Sequence, residues 1–163
     1  MITLIAPEDN SAVAALIINT LTEFGCIGEG YASSDPEVQC MYETYQADAA
    51  SYWVIKDDDT GNILGGGGYS RLKGTIDDDA ICELQKLYFS PEARGRGLGK
   101  KLLKKIIDAA RVDGYKEMYL ETVEQMKNAQ GLYFKFGFEN LDTHKGATGH
   151  HQRCTVRMNL MLV

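Results

Sequence analysis

Long apolar runs are missing from this sequence. No stretch reaches the ~18 residues that a membrane-crossing helix needs, and no basic segment followed by an apolar one opens the chain. A membrane partner and a cleaved leader are therefore not expected, and the cytoplasm is the expected location. Cysteine is limited to Cys26, Cys40, Cys82 and Cys154. None lies in a C-x-x-C pair, which excludes a zinc ribbon and a thioredoxin-type dithiol. Their wide spacing fits reduced thiols that simply pack. Basic residues are in the minority, 17 against 23 acidic, for a net charge of −6. Such a chain is a poor non-specific binder of nucleic acid, and no nucleic-acid partner is expected. Histidine is scarce too: His144, His150 and His151 are all there are. With Cys154 their spacing matches no standard zinc pattern and no carboxylate completes a set, so no metal is expected. The acidic runs at 57–59 and 77–79 lack the calcium-loop pattern and read as solvated turns.

Apolar side chains are not lacking. At 163 residues with 44% hydrophobic and 25% charged, the chain can bury a core, and residues 1–163 read as a single domain. Residues 2–5 suit a short strand. Pro7 opens a helix with Val13, Leu16, Ile17, Leu21 and Phe24 on one face. A second helix is expected over Pro36 to Gln46, capped by Ser34 or Asp35. Strands follow at 52–56, from Ile63, and at 81–89. A helix over Gly99 to Asp113 carries Leu102, Leu103, Ile106, Ile107 and Ala110 on one side and four lysines on the other. A strand at 118–122, a helix over Lys127 to Phe136, and strands from Phe138 and over 154–162 complete the chain. The order β-α-α-β-β-β-α-β-α-β-β contains an antiparallel meander and one parallel crossover, hence a mixed sheet with helices on its faces. The apolar last strand (Val156, Met158, Leu160, Leu162) suits either the core or a homodimer interface.

The segment that carries chemistry is Arg94-Gly95-Arg96-Gly97-Leu98-Gly99-Lys100, which follows a strand and opens a helix. Glycines let backbone N–H groups approach a ligand, and a helix N-terminus adds unpaired donors and partial positive charge. Together they suit a phosphate. Six of the 17 basic residues, Arg94, Arg96, Lys100, Lys101, Lys104 and Lys105, gather here, either for an anionic ligand or as a solvated helix face. The dinucleotide fingerprint fails at Lys100, where its last glycine belongs. The P-loop pattern fails twice, at Arg94 and at Lys101. The glycines at 65–68 lie inside a strand, so they are expected to make room for a neighbouring strand or a ligand rather than to hold phosphate.

What remains is R-x-x-G-x-G, and the stretch from Cys82 through Arg94, Gly97 and Gly99 resembles the acyl-CoA-binding motif of the GNAT superfamily of N-acetyltransferases. The run Asn128-Ala-Gln-Gly-Leu-Tyr-Phe-Lys-Phe-Gly-Phe138 resembles that family's second motif, a helix with a Tyr that ends in K-x-G-F. The resemblance covers nearly the whole chain. It implies an α/β (α+β) architecture: a mixed, mostly antiparallel twisted sheet with helices on both faces, the GNAT-like acyl-CoA N-acyltransferase fold. It also implies acetyl-CoA as acyl donor and a small-molecule amine, amino-acid-like, as acceptor, with direct attack in a ternary complex. Backbone groups of Arg94, Gly95, Arg96, Gly97, Leu98, Gly99 and Lys100 would hold the pyrophosphate. Leu87, Tyr88 and Phe89 would offer main-chain groups to the pantetheine arm, and Asn128 would bond it.

An amine attacking a thioester needs a base for its proton, a donor for the oxyanion and a proton or hydrogen bond for the departing thiolate. The resemblance implies Glu83 as base, with Glu121 on the next strand as its rival, and Tyr133 as donor to sulfur. Without the resemblance, Glu83 reads as a strand residue paired with Lys or Arg, and Tyr133 as a packed aromatic. Arg153, beside His150 and His151, is a candidate to hold an acceptor carboxylate. Two other classes stay open: a domain that senses acyl-CoA without turnover, and an acetyltransferase acting on a protein or peptide amine.

Overall fold

The computed structural model describes residues 1–163. Seven strands form one sheet in the order β1-β2-β3-β4-β5-β7-β6. They are β1 (Ile2–Leu4), β2 (Ser51–Lys56), β3 (Ile63–Arg71), β4 (Ile81–Phe89), β5 (Glu117–Thr122), β6 (Glu139–Asn140) and β7 (Val156–Met161). Every neighbouring pair is antiparallel except β4 and β5. The helix between that pair, α3 (Leu98–Val112), supplies the crossover that parallel strands require. The expected mixed, mostly antiparallel sheet is therefore what forms.

Helices cover both faces. α3 buries Leu102, Leu103, Ile106, Ile107 and Ala110, and its lysines face water. Its apolar stripe packs with Trp53, Leu84, Leu87 and Met118 of the sheet and with Tyr133 of α4 (Lys127–Lys135). On the other face α1 (Asn10–Glu23) packs Val13, Ala14, Ile17 and Leu21 against Tyr52 and Val54. Strand β7 lies between β5 and β6; its Met158, with Leu162 just beyond it, is buried, Val156 and Leu160 pack partly buried against the same core, and Met161 is exposed.

The helix expected over 36–46 forms as two pieces, a 3-10 turn at Pro36–Gln39 and the short α2 (Met41–Thr44). Cys40, at φ −140° and ψ 50°, breaks the run between them. Asp35 does not cap the first piece with its side chain, because its carboxylate goes to Lys86 and His150 instead.

The four glycines of β3 make room for its neighbours. A Cβ on Gly66 would lie 2.7 Å from the Tyr52 hydroxyl oxygen, and one on Gly67 would lie 2.5 Å from Leu87 Cδ1. At Gly68 the obstacle is backbone: an added Cβ would sit 2.2 Å from the Ser51 carbonyl oxygen and 2.8 Å from Tyr52 Cα. Backbone cannot swing aside, so Gly68→Ala is expected to destabilise the protein by about 3 kcal/mol. Urea denaturation checks this, and a loss under about 0.5 kcal/mol, the usual scatter of surface substitutions, would sink it.

Candidate active site

The site begins where the sheet comes apart. β4 and β5 pair only from Ile81 to Glu83 and from Glu117 to Tyr119. Beyond Glu83 the β5-facing edge of β4 has no strand beside it. A bulge against β3 follows three residues further on. Gly66 pairs with Tyr88 and Gly68 with Gln85, so Lys86 and Leu87 together oppose Gly67. Lys86 takes φ +50°, and its carbonyl accepts a hydrogen bond from the buried Tyr52 hydroxyl at 2.9 Å.

The loop after β4 turns through a 3-10 turn at Pro91–Ala93 into α3. Gly95 and Gly97 adopt φ +74° and +73° with open space where a Cβ would be, and Gly97 is the N-cap of α3. Backbone N–H groups from Gly95 to Lys100 donate to no carbonyl or side chain of the protein. Consecutive free donors at the N-terminus of a 15-residue helix form an anion cradle.

A cleft of about 550 Å³ opens over this loop, the end of β4 and the start of α4. Leu87, Tyr88, Phe89, Arg94, Gly95, Gly97, Leu98, Gly99, Lys100 and Asn128 line it; Arg96 and the two expected catalytic residues, Glu83 and Tyr133, are not part of its lining. Sequence reasoning missed Thr20 and Phe24 from α1, and Gln125, Met126, Ala129, Leu132 and Lys135 from the α4 side. The Arg94 side chain does not point at an anion. Its two terminal nitrogens reach Glu23 at 2.6 and 2.7 Å, and its guanidinium also donates to the Phe89 carbonyl. Arg94 thus braces the loop against the end of α1, and what remains for a ligand is its backbone neighbourhood.

Tyr133 is 5% exposed and packs on the Phe138 ring at 5.6 Å between centroids. Its hydroxyl makes no hydrogen bond within the protein, and burial pushes the phenol up, so the proton stays on the oxygen. Glu83 is 7% exposed. It has no Lys or Arg partner; its Oε2 accepts from Gln85 Nε2 at 2.7 Å. Gln85 Oε1 in turn accepts from the Tyr45 and Ser70 hydroxyls, which sets the orientation of the amide. Burial raises the Glu83 carboxyl above the ordinary range. The Gln85 bond, Lys86 and His150 oppose that rise, and Glu121 adds to it.

Around Glu83 the chain gathers a polar cluster that is acidic on balance. Lys86, whose side chain is 4% exposed, pairs with Asp35 at 3.0 Å and with Glu37 at 3.4 Å. His150 Nε2 lies 2.9 Å from the other oxygen of Asp35, which joins the 141–155 segment to the 26–39 segment. The same contact raises the His150 pKa against the opposing effect of burial. Arg153 makes a second tie between these segments. Its Nε donates to the Glu29 carbonyl, and its guanidinium lies 5.4 Å from the centre of the Tyr31 ring. That placement makes Arg153 a brace on the 26–35 loop rather than a group aimed into the cluster.

The histidines require a correction. The expectation that no carboxylate joins them is overturned, because Glu121 meets His144 and His151 with all three donor atoms within 4.8 Å of one another. Residues far apart in sequence converge because β5 and the 141–155 segment meet only in the folded chain.

Against known proteins, the family model described as "Acetyltransferase (GNAT) family" matches residues 15–138. The chain is 42% identical over 152 residues to the N-acetyltransferase YjgM of Escherichia coli K12, itself uncharacterized, covering 93% of this chain and 88% of that protein. Among solved structures, a GNAT-family acetyltransferase from Staphylococcus aureus Mu50 superposes with a TM-score of 0.84 at 20% identity, covering 100% of this chain and 99% of the other. A GNAT-superfamily phosphinothricin acetyltransferase from Sinorhizobium meliloti, solved with AcCoA, superposes with a TM-score of 0.76 at 18% identity, covering 99% and 87%. A strand pair that opens ahead of a bulge, a glycine loop of free N–H donors, and a sequence match spanning most of the length converge on one conclusion: the chain belongs to the GNAT acetyltransferase family.

Proposed function

We propose that this protein transfers the acetyl group of acetyl-CoA to the primary amine of a small metabolite, by direct attack within a ternary complex. The observation that carries this reading is the anion cradle at Gly95 to Lys100, which opens into a cleft along the end of β4, with the buried Glu83 and its acidic neighbours at the other end of the same strand. The pyrophosphate of coenzyme A would lie on the cradle. The pantetheine arm would run along the unpaired edge of β4, past Leu87 and Phe89, with Asn128 opposite.

An alkyl amine is mostly protonated near neutrality, with a pKa of about 10.4 for a lysine-like group. Glu83 would take a proton from it, directly or through water, and its raised pKa suits that task better than an ordinary carboxylate. Tyr133 would donate to the departing sulfur. Asp35, Glu37 and Glu83 outnumber the positive charges of Lys86 and His150, an imbalance that attracts a cationic acceptor. The ties from His150 to Asp35 and from Arg153 to Glu29 draw two segments over this end, which favours a small acceptor over a protein chain.

The test is thermal unfolding with acetyl-CoA, free coenzyme A, ATP and NAD in parallel, followed by a panel of amines scored by free-thiol release. Acetyl-CoA at 100 times its Kd should stabilise the fold by about 2.7 kcal/mol, while ATP and NAD should not. Thiol release with small amines is the expected result. Binding without release by any amine would make the protein a sensor, and no shift with either coenzyme A form would overturn the reading altogether.

A further inference from the structure

Outside this opening, one group of side chains is arranged as if around a missing atom. Glu121 on β5 is half-buried overall, with its side chain turned inward and only 1% exposed. Its Oε1 lies 3.5 Å from His144 Nδ1 and 3.0 Å from His151 Nε2. Both imidazole nitrogens are buried, and neither has a hydrogen-bond partner, since the contacts to Glu121 have the distance of a bond without its direction. The two rings stack at 4.1 Å, so one imidazole must turn before both nitrogens can meet one ion in their ring planes. Two buried ring nitrogens beside one carboxylate oxygen, with no hydrogen bond satisfying either, are costly unless something bridges them.

The spacing identifies what would bridge them. Ligands bound to Zn²⁺ at about 2.0–2.1 Å in a tetrahedron stand roughly 3.3 Å apart, and the two oxygen–nitrogen separations here bracket that value. The carboxylate is also held as a ligand should be: Tyr119 donates to its Oε1 at 2.7 Å and Thr148 to its Oε2 at 3.1 Å. Such outer hydrogen bonds fix a ligand's orientation and basicity.

We infer that Glu121, His144 and His151 form a binding site for a divalent transition ion of the Zn²⁺ class, with a fourth position left open. The ion would fasten the 141–155 segment to β5, and that segment carries His150 and Arg153 to the 26–35 loop. One contact must yield. Arg157 Nη1 lies 3.3 Å from His144 Nε2 and donates to it when the ring proton is on Nδ1. Metal at Nδ1 moves that proton to Nε2, and Arg157 then relies on its other acceptors, the carbonyls of Asp142 and Thr155.

The test uses the full chain, stripped with a chelator and kept reduced by a phosphine. Titration calorimetry with Zn²⁺ should give one equivalent, and Co²⁺ should give the intense visible absorption of a tetrahedral site. The double variant His144→Ala/His151→Ala should lose at least about 100-fold in affinity, and Tyr119→Phe, which leaves all three ligands, about 10-fold. Zn²⁺ should also slow proteolysis within 141–155 in the parent protein. Should the double variant not fold, the Co²⁺ spectrum and Tyr119→Phe still decide. Failure of the parent protein to take up one equivalent overturns the inference. So does binding that survives the double substitution, which would place the ion on thiols such as Cys26 and Cys154.

Discussion

Tyr133→Phe is expected to lower kcat about 100-fold while changing the KM for acetyl-CoA by no more than about twofold. The substitution removes one oxygen that bonds to nothing in the protein, so the ring keeps its packing on Phe138. Stability should therefore hold within about 0.5 kcal/mol, because no buried partner is orphaned. Any loss of rate must then come from the hydroxyl's dealings with the reacting atoms. Because burial keeps the phenol protonated across the usable pH range, the effect should be nearly independent of pH. Steady-state rates at saturating amine, together with a urea melt, check both halves. An unchanged kcat would return Tyr133 to the role of a packed aromatic.

Glu83→Gln should cost more, about 100- to 1000-fold in kcat/KM, because it removes the proposed base while keeping size and hydrogen bonding. The pH profile makes the test specific. A base must be ionised, so the parent protein's rate should climb with pH through a value above the ordinary carboxylate range, where burial has moved Glu83. A second climb follows at higher pH as the amine itself deprotonates. The variant should keep the second and lose the first. Stability carries the opposite sign. A carboxyl raised on folding binds more protons in the native state, so stability falls as pH rises from the unfolded value through the folded one. The neutral Gln escapes that loss, and the variant should melt slightly higher than its parent at pH 7. Persistence of the lower limb would assign the base to another group, and Glu121 would be examined next.

Local signals were the legible ones. β4 was read over the same residues it occupies, because an apolar run ending at Pro91 leaves little choice. The loop and α3 followed, since glycine spacing and a helical stripe of Leu and Ile are neighbours in sequence. Contacts made at a distance were not legible. Nothing near Arg94 announces that its guanidinium will close on Glu23, 71 residues away. The meeting of Glu121 with His144 and His151 depends on a segment without regular secondary structure, where no periodicity aims a side chain. The helix expected at 36–46 is broken at Cys40, and its expected cap is lost for a related reason: Asp35 is an apt cap by residue type, but a buried lysine and a histidine compete for its carboxylate and win.

The bulge in β4 also separates two properties that usually change together. Counting by twos from Cys82 keeps apolar side chains toward α3 as far as Leu84, and then lands on Lys86. The extra residue resets the count, so Leu87 and Phe89 return to the apolar face while Lys86 is left to Asp35 and Glu37. A chain lacking residue 86 would place Leu87 opposite Gly67 and Gln85 opposite Gly68, with every core side chain on its present side. Such a sheet would lose its kink and keep its hydrophobic parity. The kink in β4 therefore rests on one unit of chain length that the core does not require, and insertion or deletion at this position is expected to reshape the β4 edge of the cleft before it disturbs the fold.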